Sequence, residues 1–234
     1  MAISDDLTAY VKATFQTQWK MRKGQAVPDP ENLKLSNDAI EFDRATVLYA
    51  DLSGSTSMVV SETWTFASEI YKAFLYCAAR LITEGGGEIT AYDGDRIMGV
   101  FIDDRQSTNA AICALKINHA TKNIIMPALK YQYPKTNFTL RHVVGIDTSP
   151  IRAARTGVRG DNDIVWVGSA ANHAAKLTEL DAANATWITG SLFKYLRGDA
   201  KYANNANKTL MWEKRLWTPM ENMEIFCSNW TWKV

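Results

Sequence analysis

The sequence predicts an α+β sandwich, an antiparallel-rich sheet covered by helices. Three observations carry that reading. The segments run strand, helix, two hairpin strands, helix, strand, then further mixed pieces, which is not the strict alternation of a doubly wound parallel sheet. Two of the strands are joined by Asp93-Gly94, a dipeptide suited to a tight antiparallel turn. The chain has 234 residues, 47% hydrophobic and 22% charged, enough for one sizeable core with appendages and ordinary for a globular protein.

Each element can be justified in order. Residues 4–22 read as a helix, with Ser4 as cap and two acidic residues after it. Gly24, Pro28 and Pro30 then break the pattern. Residues 1–43 are read as an N-terminal helical extension packed on the main domain, and 44–234 as a catalytic domain ending in a strand-rich tail. "ATVLYADLSGST" is a buried strand running into a turn. From Met58 to Thr83 apolar residues recur at helical spacing: Trp64, Ala67, Ile70, Phe74, Ala78, Leu81. "GEITAY" and "RIMGVFI" are the hairpin strands. Ser107 is expected to cap a second long helix, running through about Leu129. "FTLRHVVGIDT" is a strand, and "DIVWVG" leads into a helix over about 169–180. "ATWITGSLFKYL" reads as strand then helix. The end of the chain reads as a strand pair carrying Trp212, Trp217, Trp230 and Trp232.

Composition excludes several classes. A net charge of +1 gives no global field toward nucleic acid or an anionic membrane. No apolar run is long enough to span a bilayer, and "MAISDDLTAY" lacks the basic start and apolar core of a secretory signal. Cys77, Cys113 and Cys227 lie far apart in apolar segments, so they read as thiols of a reducing cytoplasm. His119, His142 and His173 share no metal-ligand spacing, and there is no Gly-x-x-x-x-Gly-Lys phosphate loop.

The chemistry-bearing residues are few. Asp51 ends a buried strand, where a carboxylate serves a hard cation or caps the next helix. Gly54 allows a tight turn. Ser53, Ser55 and Thr56 then open a helix whose free N–H groups favour phosphate. Asp95 sits at the hairpin tip. Adjacent strands could bring Asp51 and Asp95 side by side, and two such carboxylates repel unless a cation lies between them. Two metal ions held this way can activate an attacking oxygen and clamp a triphosphate. In "GSAANHAAKL", Asn172 and Lys176 are four apart and share a helix face, an amide beside a cation.

In this order "YADLSGST", "GGGEITAYDGDRIMGVF", "VVGIDTSPIRAARTG" and "VGSAANHAAKL" resemble the catalytic domain of class III nucleotidyl cyclases, over roughly 45–189. The resemblance implies a ferredoxin-like sandwich and a homodimer with active sites shared across its interface. It implies attack of a ribose 3′-hydroxyl on the α-phosphate, giving a 3′,5′-cyclic nucleotide and pyrophosphate. It implies two divalent ions per site, Mn2+ or Mg2+, on Asp51, Asp95 and the Leu52 carbonyl, with residues 53–56 cradling phosphates. Asn172 falls where the family orients the ribose, and Lys176 where it has a transition-state arginine; lysine keeps the charge and loses the bidentate fork. A further arginine of the family is replaced by Val143, with Arg141 two residues earlier.

The two purine-reading positions hold Ala91 and Val165. Neither side chain can hydrogen-bond a base edge, so a purine would leave polar groups unpaired. The pocket is either degenerate or rebuilt for a smaller base. Tyr92 and Trp166, beside those positions, either pack in the core, fill purine space or stack on a pyrimidine; Arg96 is a further candidate at the base or phosphate. The compact chain is most similar to the bacterial pyrimidine cyclases of the Pycsar anti-phage system. That similarity implies UTP or CTP as substrate, of which UTP is favoured here, and a separate effector protein that reads the product. A purine (adenylate) cyclase and a catalytically inactive nucleotide-binding module remain the alternatives. Haloacid-dehalogenase-type phosphatases need a second aspartate where Ser53 stands, and "GGGEI" alone makes a diguanylate cyclase the poorer fit.

Overall fold

A computed structural model describes residues 2–234. The central pair is β2 (Asp38–Ser53) and β5 (Arg141–Val158), antiparallel along most of their length, with an irregularity between Phe42 and Ala45. β3 (Glu88–Asp93) and β4 (Arg96–Phe101) form the hairpin, and β4 pairs with β2. On the other side of β5 lie β7 (Thr186–Thr189), β9 (Met223–Ser228) and β8 (Glu213–Trp217). The sheet order is β3-β4-β2-β5-β7-β9-β8; β6 (Asp161–Val167) runs beside β5, and β1 (Lys20–Lys23) beside β2. Among the described residues only β5–β7 and β1–β2 pair in parallel. The expected helix-covered, antiparallel-rich sheet is present.

Side chains alternate along β2, so its two faces feed two cores. Leu48, Ala50 and Leu52 face α3 (Trp64–Glu84) and α4 (Gln106–Ala120), together with Phe74, Ile82, Ala114 and Leu115. Ala45 and Val47 join Met98, Val100 and Ile151 beneath α6 (Ser169–Leu177), which contributes Ala170, Ala171 and Ala174. Asp51 and Ala91 lie on this second face, and Tyr92 on the first.

The helix expected over 58–83 is two helices, α2 (Ser55–Ser61) and α3. Thr63 breaks them: its hydroxyl accepts from the Phe66 N–H at 3.3 Å and caps α3. The continuous apolar spacing hides this cap. Ser107 is not a cap. It is buried within the first turn of α4, bonded to Thr46 at 3.1 Å, and Arg105 precedes the helix. That helix reaches Ala120, passes through a wide turn at Thr121–Ile125 and continues as α5 (Met126–Gln132). The helix expected to reach 180 ends at Leu177.

The N-terminus also departs from expectation. α1 spans Ile3–Gln16, and Ser4 lies inside its first turn because the Asp5 and Asp6 N–H groups bond back to Ala2. Residues 20–22, expected as helix, are strand. β1 joins the sheet, and Asn37 donates to the Thr14 and Thr17 carbonyls at 2.8 and 2.6 Å. Through β1 this segment pairs with the central sheet. α1 has no buried residue, and Phe15 is 86% exposed. The boundary placed at 43/44 falls within β2. At the other end, β9 pairs with β7, so the tryptophan-rich tail completes the sheet. The three thiols are free, two buried and Cys77 half-buried. No helix among the described residues is long and apolar enough to cross a membrane.

Candidate active site

β2 ends at the turn over residues 53–56, which the sequence marks as a candidate for phosphate. Gly54 takes φ +77°, a left-handed conformation that costs glycine little, and α2 starts directly after it. Ser53 and Thr56 are exposed, and Ser55 is half-buried beside Tyr71. Hairpin register puts Asp93 opposite Arg96. The turn residues are thus Gly94 and Asp95, one later than the expected Asp93-Gly94. Gly94, at φ +61°, takes the first central position, where a II′ turn prefers glycine.

Because Ala50 pairs with Ile97, the hairpin tip lies beside the end of β2. Asp51 and Asp95 are brought together. Burial, and then the Asp95 charge, push the Asp51 carboxyl from 3.8 up to about 6. One Asp95 oxygen, Oδ2, is buried with no hydrogen-bond partner. A carboxylate resisting ionisation beside an orphaned carboxylate oxygen is a donor set that fits hard cations. Among the described residues no three His, Cys, Asp or Glu side chains gather to hold a metal, so further ligands must come from backbone or substrate oxygens.

The site does have a basic neighbour. Arg96 donates to Asp93 at 2.8 Å, and its guanidinium lies 5.2 Å from the Tyr49 ring centroid. Its charge pulls Asp51 back only in part. Two residues were underweighted in the sequence. Tyr71 of α3 places its phenol beside Ser55; burial and the Asp95 charge push its pKa up. It was hidden by its place in the helix periodicity. Arg141 is the cross-strand partner of Ser53, so it stands next to the phosphate turn, whereas Val143 is buried opposite Asp51.

Asn172 and Lys176 share an exposed face of α6. The ammonium of Lys176 lies 3.9 Å from Met220 Sδ and has no carboxylate partner among the described residues. α6 sits close to β5: a Cβ on Gly145 would come within 2.2 Å of the Ala174 carbonyl oxygen.

The base-position candidates separate by face. Ala91 shares a row with Met98 and Tyr49 on the α6 side, while Tyr92 shares one with Ile97 and Ala50 on the α3 side. Tyr92, 57% exposed, therefore points away from Ala91. Val165 is 43% exposed. Trp166 is turned inward against Phe42, ring centroids 6.1 Å apart, and its indole N–H is buried without a partner.

No family model matches the chain. Two curated relatives do, along their whole length and its own. One, a uridylate cyclase from Burkholderia cepacia, is 50% identical over 100% of both chains. The other, a uridylate cyclase from Xanthomonas perforans, is 48% identical over 100% of both. The chain belongs to this family of class III nucleotide cyclases. Solved structures share the cyclase fold at low identity. A bacterial light-regulated adenylyl cyclase superposes with a TM-score of 0.67 at 17% identity, covering 85% of this chain, which spans only 54% of that one. A dimeric guanylyl cyclase domain from Blastocladiella emersonii gives 0.61 at 14% identity, covering 80% of this chain and 97% of that one. The fold expected from the sequence is thus shared with class III cyclase domains.

Proposed function

We propose that this cyclase converts UTP to 3′,5′-cyclic UMP and pyrophosphate. The observation that carries the reading is the joining of Asp51 and Asp95 beside the phosphate turn, with an orphaned carboxylate oxygen between strand end and hairpin tip. Ala91 and Val165 supply no hydrogen bond to a purine edge, and the two full-length relatives bear the name uridylate cyclase.

In the reaction a bond forms between O3′ and the α-phosphorus. The bond from that phosphorus to the bridging oxygen breaks, pyrophosphate leaves and the proton of the 3′-hydroxyl passes to solvent. Asp51, Asp95 and the Leu52 carbonyl would hold two divalent ions, Mn2+ or Mg2+, which supply Lewis-acid activation and charge neutralisation. The N–H groups at Ser55 and Thr56, with Ser53, Gly54 and Arg141, bind the outer phosphates. Asn172 orients the ribose, and Lys176 offers a positive charge to the charge that builds on the α-phosphate. Arg96 steadies the carboxylate pair from the Tyr49 side. Ala91 borders the base; Trp166, expected there from the sequence, is buried against Phe42 and serves as packing behind the pocket, while Tyr92 supports the hairpin from the far side.

Asn172 and Lys176 face outward, so they serve the site of a second copy: the working unit is a two-fold dimer with each site built from both chains. The product acts as a second messenger read by a separate effector protein in anti-phage defence, in the cytoplasm, without nucleic acid or membrane as partner.

The test is a nucleotide panel. Purified protein is incubated with ATP, GTP, CTP and UTP, each with Mn2+ and then Mg2+, and products are identified by mass. Cyclic UMP supports the reading, and cyclic CMP alone moves the substrate within its class. A cyclic purine as main product overturns the base argument and favours an adenylate or guanylate cyclase. No product from any of them favours a nucleotide-binding module.

A further inference from the structure

α6 carries Asn172 and Lys176, and its apolar contact with the sheet is made mostly by small side chains. Its buried face is Ala170, Ala171, Ala174 and Leu177. Alanine offers almost no shape to key against the sheet. The helix has nine residues, and Gly168 supplies no side-chain cap; only the Ser149 hydroxyl reaches back, accepting from the Ala170 N–H at 3.0 Å. A helix this short is marginal without tertiary ties.

One polar tie is built into the interior. Asp147 of β5 is 2% exposed, and its Oδ2 lies 2.8 Å from His173 Nδ1. Its other oxygen accepts from the Thr189 hydroxyl, which also caps α7 (Gly190–Tyr195) by accepting from the Leu192 N–H. Both carboxylate oxygens are thus engaged. An ionised carboxylate only accepts, so the Nδ1 of His173 is the donor. Trp217 closes the other side, its ring edge-on to His173 at 6.2 Å and 74°. His173 follows Asn172 directly and precedes Lys176 by three, so one grip governs both. Gly145, two residues before Asp147 on the same face, lets the helix come close enough for the contact.

We propose that Asp147 and His173 are a positioning pair for the cyclisation: they set the rotation of α6, and so the places of Asn172 and Lys176. Neither touches the substrate. This inference rests on the cyclase site described above and adds to it residues that act through others. The leverage is geometric. Side-chain tips stand about 5–6 Å from a helix axis, so a roll of about 10° moves them by about 1 Å. A displacement of that size can cost about 100-fold in rate. Buried polar ties of this kind are expensive to leave half-made, which makes the seated state the one satisfied arrangement.

The experiment compares His173→Phe, which keeps a ring and loses the donor, with His173→Asn, whose amide nitrogen can replace Nδ1. In each full-length protein, kcat and KM for the nucleotide turned over are measured, with hydrogen exchange across α6. The expected result for H173F is a folded protein with faster α6 exchange, kcat lowered about 10- to 100-fold and KM within about threefold. H173N should recover most of the rate and the protection. Unchanged kcat in H173F, or a loss confined to KM, overturns the proposal, as does H173N matching H173F in both readouts. Should H173F fail to fold, Asp147→Asn carries the same test: slower turnover with faster α6 exchange supports the pair, and wild-type values in both overturn it. A wild-type protein that turns over no nucleotide would sink the functional reading instead, and α6 exchange alone would then judge the tie: unchanged exchange in H173F overturns it.

Discussion

Asp51→Asn should stabilise the metal-free protein while abolishing its activity. The folded carboxyl is raised from 3.8 to about 6, chiefly by burial and then by Asp95. Since its folded pKa lies above the unfolded one, the unfolded chain gives up the proton first. The stability tied to this group is therefore fully present below about 3.8 and is lost as pH rises through about 6. About two pKa steps at roughly 1.36 kcal/mol each set a ceiling near 3 kcal/mol. Asp51 keeps partial access to water, and screening lowers the figure to about 1–2 kcal/mol. Asparagine cannot ionise, so at pH 7.5 it should recover that amount. For a chain of this size that is about 3–6 °C in Tm. At pH 5, part-way through the window, the gain should be about half as large. Thermal melts of both proteins in chelator, at the two pH values, measure it. Mn2+ should then raise the wild-type Tm more than the variant's, because the ion needs the ionised carboxylate. A variant no more stable at pH 7.5, or with the same gain at both pH values, would refute the reasoning.

Three further outcomes follow. Asp51→Ala and Lys176→Ala chains should each be inactive alone and recover about a quarter to a half of wild-type activity when mixed, since one of two symmetric sites is then intact; a confirmed mixed dimer with no activity would deny shared sites. Gly145→Ala should lower turnover more than about tenfold, because its Cβ would come 2.2 Å from the Ala174 carbonyl oxygen and push α6 outward; steady-state kinetics beside a thermal melt would reveal it. Phe74→Ala, at a side chain 0% exposed between α3 and the sheet, should cost about 3–5 kcal/mol in urea unfolding with no change in nucleotide preference.

Much of the site was legible because its signals are local. A carboxylate at a strand end, a glycine-bearing turn, an acidic hairpin tip and an i,i+4 pair on a helix each declare themselves within about ten residues. So does the α+β order of segments, since helix and strand periods are written in neighbouring side chains. Where local signals overlapped, expectation slipped. Thr63 and Ser107 are both possible caps, and only burial of Ser107 against Thr46 tells them apart. α1 has the pattern of a packed helix without a packing surface in its own chain.

The sequence by itself marked the candidate residues and the class of chemistry they suit. Tertiary structure alone decided their company. Whether Asp51 meets Asp95 depends on β2–β4 register, which is set by pairing partners some 50 residues apart, Ala50 against Ile97. Whether Ala91 or Tyr92 faces α6 turns on the irregularity between Ile89 and Ala91, because one residue of slip reverses every side chain of a strand. The Asp147–His173–Thr189 tie unites three segments with no shared motif, and Arg141 gains its place only as the neighbour of Ser53. Residue type and spacing are properties of the chain, whereas register, face and burial are properties of the pairing, and it is the pairing that turns two aspartates into one site.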